Sequence, residues 1–177
     1  RAMKRHLTRD CMEERVAAQR VVDGEARPLE ETVAVEEPLE IHINGQPWIT
    51  TMRTPGHDRE LALGLLYSEG LLADLIDVDS ISVDDNVVLI EGQISIDGHA
   101  RGFVRSSSCG VCGRASLDAI MARHPPAIPT DGFTISEGDV EVLLGRLRSM
   151  QSVFETTGGV HAVALFSENA EITELAE

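Results

Sequence analysis

The chain has only three cysteines, Cys11, Cys109 and Cys112, in 177 residues. So few, and an odd number, argue against a secreted scaffold held by disulfides. Long apolar runs are missing too, and no stretch approaches the ~20 residues that a bilayer-spanning helix needs. No basic start is followed by an apolar stretch, so no secretory signal is expected. Basic side chains are scarce, 15 against 30 acidic ones, for a formal net charge of −15. That balance argues against nonspecific nucleic-acid binding, which depends on Lys and Arg neutralising phosphates. Internal repeats are absent. What is present is 42% hydrophobic and 25% charged residues, a globular rather than disordered composition. A chain of this length can bury a core as one domain or as two small ones. The expectation is a soluble, cytoplasmic protein.

The charge is unevenly placed. Residues 1–31 carry seven basic and seven acidic groups, whereas residues 32–98 carry two basic and thirteen acidic ones. Residues 99–124 reverse the sign, with Arg101, Arg105, Arg114 and Arg123 against Asp118 alone. From residue 132 onward there are two basic and eight acidic groups. The positive island holds both cysteines of the chain's one close pair, and that coincidence directs attention to it.

Residues 1–31 read as an N-terminal extension in which Glu13 to Arg20 forms a loose polar helix. Residues 32–105 read as an α+β domain, an antiparallel sheet with a helix packed on it. Thr32–Val35 and Leu39–Ile43 alternate with period two, and Asn44-Gly45 supplies a tight hairpin turn before a return strand over Gln46 to Met52. His57 to Leu72 predicts a helix, with Asp58 and Glu60 near its positive end and Gly70 marking an early stop. Further strands are expected over Ile81–Val83, Val87–Ile90 and Ile94–Ile96, the last continuing towards Val104. Residues 106–131 contain a cysteine-bearing loop, a short helix over Ser116 to Arg123 and a proline-rich linker from 125 to 131. Residues 132–177 read as the opening of a second domain. Ser136 with Asp139 resembles a capping box, and Val140, Leu143, Leu144, Leu147, Met150 and Phe154 repeat at helical spacing. Val160 to Phe166 then predicts a central buried strand, with a hairpin towards Ile172. One helix and a strand or two are too little to close a core, so this second unit is expected to be truncated.

The sharpest chemical feature is Ser106-Ser107-Ser108-Cys109-Gly110-Val111-Cys112-Gly113. A thiol is a useful nucleophile only as thiolate, and neighbouring cations or a following helix N-terminus lower its pKa below the ~8.5 of a free cysteine. Arg105 and Arg114 bracket the pair, and the expected helix starts just beyond Cys112. Four readings compete. A zinc site needs four ligands, and this pair supplies two, to be completed from His99, His124 or Cys11. A thioredoxin-like dithiol would need a βαβ context and usually an aromatic residue where Ser108 stands. Two surface thiols without a role are the plainest reading. A nucleophilic cysteine carrying sulfur or an acyl group fits the glycine- and serine-rich loop and its positive surroundings best.

The sequence also resembles the formate dehydrogenase accessory sulfurtransferase family, FdhD. The matching stretches are Glu36-Glu37-Pro38-Leu39-Glu40-Ile41, Met52-Arg53-Thr54-Pro55-Gly56-His57-Asp58 leading into Glu60 to Leu66, and Ser68-Glu69-Gly70. They continue with Ser107 to Gly113 and with Thr157-Gly158-Gly159-Val160-His161-Ala162. The resemblance implies a sulfurtransferase that takes sulfur from a cysteine desulfurase as a persulfide. It would pass that sulfur to the molybdenum cofactor of formate dehydrogenase, a bis-guanine-dinucleotide form that is large and anionic and binds only transiently. Cys109 matches the persulfide-bearing cysteine, and Cys112 the second thiol. Arg53, Arg105 and Arg114 are candidate contacts to the client cofactor, and neither a resident metal nor a tightly bound cofactor is expected. The implied partners are the desulfurase and formate dehydrogenase, with a homodimer left open. The resemblance further implies that the second domain is α/β, of cytidine-deaminase type. In family members a DVGRHN-type motif and a late cofactor-binding segment follow, and neither falls within this chain. A cofactor chaperone without transfer chemistry, or a zinc clip made by the cysteine pair, is the alternative.

Four other features have plainer explanations. His161 stands where a deaminase would place His-x-Glu, but the residue two positions on is Val163, so deamination is not expected and His161 reads as a hydrogen-bonded structural residue. A helix start accounts for Asp58. Arg53-Thr54-Pro55-Gly56 reads equally as a turn or as a ligand contact. Trp48 reads as core.

Overall fold

The computed structural model describes residues 12–96 and 134–177, with strand 104–105 described by its backbone alone. Cys109, Cys112 and Arg114, the helix expected over Ser116 to Arg123 and the linker 125–131 lie outside the described residues. In chain order the strands are β1 (Glu13–Val22), β2 (Glu25–Ala34), β3 (Glu37–Ile43), β4 (Gln46–Arg53), β5 (Val78–Asp84), β6 (Val87–Gly92), β7 (Val104–Arg105), β8 (Val163–Phe166) and β9 (Ile172–Ala176). The α-helices are α1 (Asp58–Glu69), α2 (Glu137–Met150) and α3 (Ser152–Thr157). These elements fall into two compact units, one beginning at Val35 and containing β3 to β7 with α1, the other combining Met12–Ala34 with the described residues from 134 onward.

In the first unit five strands form one sheet in the order β5-β6-β3-β4-β7. The β3–β4 hairpin closes at Asn44-Gly45, whose φ values of 50° and 74° are those the dipeptide predicts for a tight turn. Ile43 faces Gln46 and His42 faces Pro47, after which the register shifts and Ile41 faces Ile49. Trp48 is the residue left over. Pro47 has no N–H to give the ladder, and bulges are where sheets accept proline. The extra residue turns inward, so that Trp48 is core as expected, 3% exposed.

The sheet is mixed, not antiparallel as the strand pattern led one to expect. β6 runs parallel to β3, and β7 runs parallel to β4, while β3–β4 and β5–β6 are antiparallel. The cause is α1, which reverses the chain between β4 and β5, so that the β5–β6 hairpin joins the free edge of β3 with β6 alongside it. α1 starts one residue later than predicted and stops at Glu69, where Gly70 takes a left-handed φ of 73° and caps it through bonds to Leu66 and Tyr67. Ala62 and Leu66, one turn apart, are fully buried in the cluster that contains Leu39, Ile41, Ile43, Val88 and Ile90. Ile94 and Ile96 join this core, but as irregular chain rather than the predicted strand. Asn44 holds that segment: its Nδ2 donates to the Ile94 carbonyl at 3.0 Å, and its Oδ1 accepts from the Gly92 N–H at 3.0 Å. Asn44→Ala is expected to cost about 2 kcal/mol in urea denaturation, from two lost hydrogen bonds and a non-Gly, non-Asn residue at positive φ.

In the second unit β1 and β2 form a hairpin of ten cross-strand pairs, closed at Asp23-Gly24 with φ of 53° and 82°. Glu13 to Arg20 is therefore strand and not the helix expected there. A helix over these residues would spread Val16, Ala17 and Ala18 around its circumference with no apolar stripe to bury, whereas the strand pairs its backbone along the whole of β2. β2 packs on α3, and Thr156 Oγ1 donates to Glu13 Oε1 at 2.6 Å. The capping box at α2 forms as predicted, with Ser136 and Asp139 bonding each other's backbone N–H. The helical repeat is interrupted at Gln151, where α2 ends and the short α3 begins. The strand expected to be central and buried is neither. It is limited to β8, pairs among the described residues with β9 alone, and leaves Val163 and Leu165 69% and 63% exposed. Among the described residues this two-stranded sheet has no second flank and no layer over those side chains. Among the described residues no helix is long and apolar enough to cross a membrane.

The Asp139 carboxyl is held below its ordinary value of 3.8, chiefly by the Ser136 hydroxyl and then by the Ser136 backbone N–H. A lowered carboxylate pKa stabilises the folded cap above the ordinary value and loses that contribution as pH falls through the folded-state pKa. A carbon-detected titration of Asp139 is expected to show a midpoint below 3.8, returning upward in Ser136→Ala.

Candidate functional site

β7 lies beside β4 in parallel register, Val104 opposite Thr50 and Arg105 opposite Thr51. β7 thus ends beside the last residues of β4. Of Arg105 the structure describes the backbone pairing. Cys109, Cys112 and Arg114 lie outside the described residues.

β4 ends at Arg53, whose side chain is 5% exposed. The register shift at Trp48 sets Arg53 opposite Glu37, the first residue of β3, on the face that α1 covers. The guanidinium donates through Nη1 to Glu37 Oε2 at 3.1 Å. Through Nε and Nη2 it donates to the two carboxylate oxygens of Asp58, at 2.7 and 3.4 Å. Nη2 also reaches Asn86 Oδ1 at 2.7 Å. Four donor interactions of one planar fork therefore bind the start of β3, the start of α1 and the turn between β5 and β6 to the end of β4. Asp58 is 7% exposed. It is more than the helix-start residue expected of it: it is the principal partner of Arg53, while the preceding His57 makes no capping side-chain bond.

The structure thus has Arg53 buried, with donors turned onto Glu37, Asp58 and Asn86. Glu37 and Asn86 escaped the sequence reasoning. Glu37 carried one usable signal, an acidic residue at the open end of a hairpin whose other strand ends in arginine. Asn86 carried none, because it comes from a different hairpin. On the opposite face of the sheet, His42 Nε2 and Glu40 Oε1 lie 2.8 Å apart, and His42 is partly buried. His161 is exposed and precedes β8. No group of three or more His, Cys, Asp or Glu residues able to hold a metal occurs among the described residues.

The fold defines a class first. The structure resembles a crystal structure described as that of a formate dehydrogenase accessory protein from Desulfotalea psychrophila, with a TM-score of 0.69, 13% identity, and coverage of 93% of this chain and 62% of that one. At that identity the likeness speaks for the fold, an α+β arrangement, alone. The family follows from the sequence: the model of the FdhD/NarQ family matches residues 34–177, and the chain belongs to that family. The "Sulfur carrier protein FdhD" of Streptomyces coelicolor is 41% identical over 177 aligned residues, covering 89% of this chain and 61% of the relative. The protein of the same name from Sulfolobus acidocaldarius is also 41% identical, over 164 residues, covering 92% and 62%. The chain thus spans about three fifths of the length of these relatives.

Proposed function

We propose that this chain is a sulfur carrier serving formate dehydrogenase maturation, with Cys109 as the residue that bears the sulfur. The observation carrying this reading is that the FdhD/NarQ match runs through the Cys109-Gly-Val-Cys112 segment, among relatives named sulfur carrier proteins. The chemistry needs little from the fold beyond an accessible thiolate. Cys109 attacks the outer sulfur of a desulfurase persulfide, the donor's S–S bond breaks, its thiolate leaves, and a new S–S bond forms on Cys109 with no net oxidation. Attack of Cys112 on the loaded Cys109 would close a disulfide and release hydrosulfide, so the pair itself supplies the two electrons that free the sulfur. Arg105 and Arg114 stand near in sequence to favour both the persulfide anion and the phosphates of a molybdenum-bis-guanine-dinucleotide client, which is a substrate here and not a resident group. The second unit is proposed to belong to a deaminase-type α/β domain, and the cytoplasm is the proposed compartment.

The test is direct. Incubated with a cysteine desulfurase and cysteine, the protein is expected to gain one sulfur by intact mass, removed by a thiol reductant and absent in Cys109→Ala. An adduct that survives Cys109→Ala, or none on the unaltered chain, would overturn the reading. Cys112→Ala is expected to load normally but to release at least tenfold less sulfide in a single turnover, because the resolving thiol is gone.

A further inference from the structure

We infer that β1 is the pairing edge of a homodimer, in which two copies of the chain join their β1–β2 hairpins edge to edge into one sheet of four antiparallel strands. The hairpin has two edges, and only one of them is protected. β2 carries Pro28 within the strand, with Arg27, Glu30 and Glu31 beside it, and proline with nearby charges is how natural sheets close an edge. β1 has none of these devices. It runs for ten residues in unbroken register with β2, with no proline, no lysine and an uncharged centre, Val16-Ala17-Ala18-Gln19. Among the described residues β1 pairs with β2 alone, so every second residue turns its backbone N–H and C=O outward, a template for another strand. Ribbons of two strands are marginal by themselves, and residues 19–28, the outer half of this one, are all exposed.

The occupant is a second copy because the edge is complementary to itself. A two-fold axis perpendicular to the sheet leaves each face on its own side, so a residue of one strand meets only residues of the same parity on the other. Two such registers pair nine residues of β1, 13–21 or 14–22. With Ala18 on the axis, Glu14 meets Val22 and Arg20 meets Val16, and no charge finds its opposite. With Ala17 on the axis, Glu14 of each copy meets Arg20 of the other, twice by symmetry, and Val16 meets Ala18. Opposite charges directly across a ladder stabilise it, and like charges destabilise it. Within one chain Arg20 stands opposite Arg27, and its nearest carboxylate is the exposed Glu31 at 3.7 Å. The facing copy's Glu14 sets a carboxylate on the open side of Arg20.

The experiment measures the mass of the full chain in solution by sedimentation equilibrium, under reducing conditions so that no disulfide joins the copies. The unaltered chain is expected to be a dimer. Glu14→Arg and Arg20→Glu, both at exposed positions, are each expected to weaken it by at least about tenfold, because each sets like charges opposite one another at two places. Circular dichroism checks that the variants keep the fold. Mixed in equal amounts they are expected to restore the dimer, since every charge at positions 14 and 20 of one copy then meets its opposite on the other. An unaltered chain that sediments as a monomer overturns the inference. So does a dimer that both substitutions leave intact, and so does a mixture of folded variants that stays monomeric. If either variant does not fold, amide hydrogen exchange on the unaltered chain decides. The outward N–H groups of β1 are expected to exchange more slowly as protein concentration rises, and a rate independent of concentration overturns the inference. Sulfur uptake enters none of these measurements, so the carrier reading stands or falls separately.

Discussion

Arg53→Met is expected to lower the stability of the first unit by about 3–5 kcal/mol, read as a shift of its urea transition. The size follows from what remains, not from what is removed. Methionine fills much the same space but removes the cation that stands between Asp58, 7% exposed, and the partly buried Glu37, and removes a donor from the Asn86 carbonyl oxygen. Removing one member of a buried charge cluster is far more costly than removing the cluster as a whole. The triple change Arg53→Met, Glu37→Gln, Asp58→Asn is therefore expected to recover a large part of the loss. A double-mutant cycle between Arg53→Met and Asp58→Asn should yield a coupling of about 1–3 kcal/mol. A loss below about 1 kcal/mol for the single change would mean that water reaches the cluster and the fork does not hold the sheet end.

Ile41→Ala is the second large effect, about 2–5 kcal/mol by the same measurement. Ile41 is fully buried on the central strand of the five, with Ile49 beside it on β4 and Val88 on β6, and Leu66 of α1 belongs to the same cluster. Strands on both flanks and a helix over the face leave little room to close the cavity. Leu165→Ala, an apolar truncation of similar size at a residue 63% exposed, is expected to change stability by less than about 0.5 kcal/mol. The contrast tests the assignment of the core, since both are apolar residues in strands and the sequence pattern ranks Leu165 as the more central.

What could be read from the sequence was local. Asn44-Gly45 needs two residues at positive φ and little else, the capping box is a bargain between residues three apart, and Gly70 ends α1 because it alone there accepts a left-handed backbone. Each rests on contacts within a few residues of chain. The differences between pattern and structure are of another kind. Glu13 to Arg20 has a polar composition that suits a helix, but its structure is decided by pairing with β2 along ten positions. Val160 to Phe166 is apolar, but burial requires a covering layer, which apolarity alone does not supply.

The Arg53 cluster shows most clearly where local reasoning stops. An unbroken hairpin continued from the Ile43–Gln46 pair would set Glu37 opposite Met52 and turn Met52 towards α1. The one-residue shift at Trp48, beside a proline that cannot join the ladder, exchanges the two faces and sends Arg53 inside instead. Asn86 then arrives from another hairpin, 33 residues away along the chain. The sequence by itself determined the family and the cysteine pair with its basic flanks, because residue identity and spacing are enough for both. Only the tertiary structure decided that the sheet is mixed and that Arg53 is buried. Strand order, register and the meeting of distant charges depend on contacts between segments far apart in the chain, and no local pattern records them.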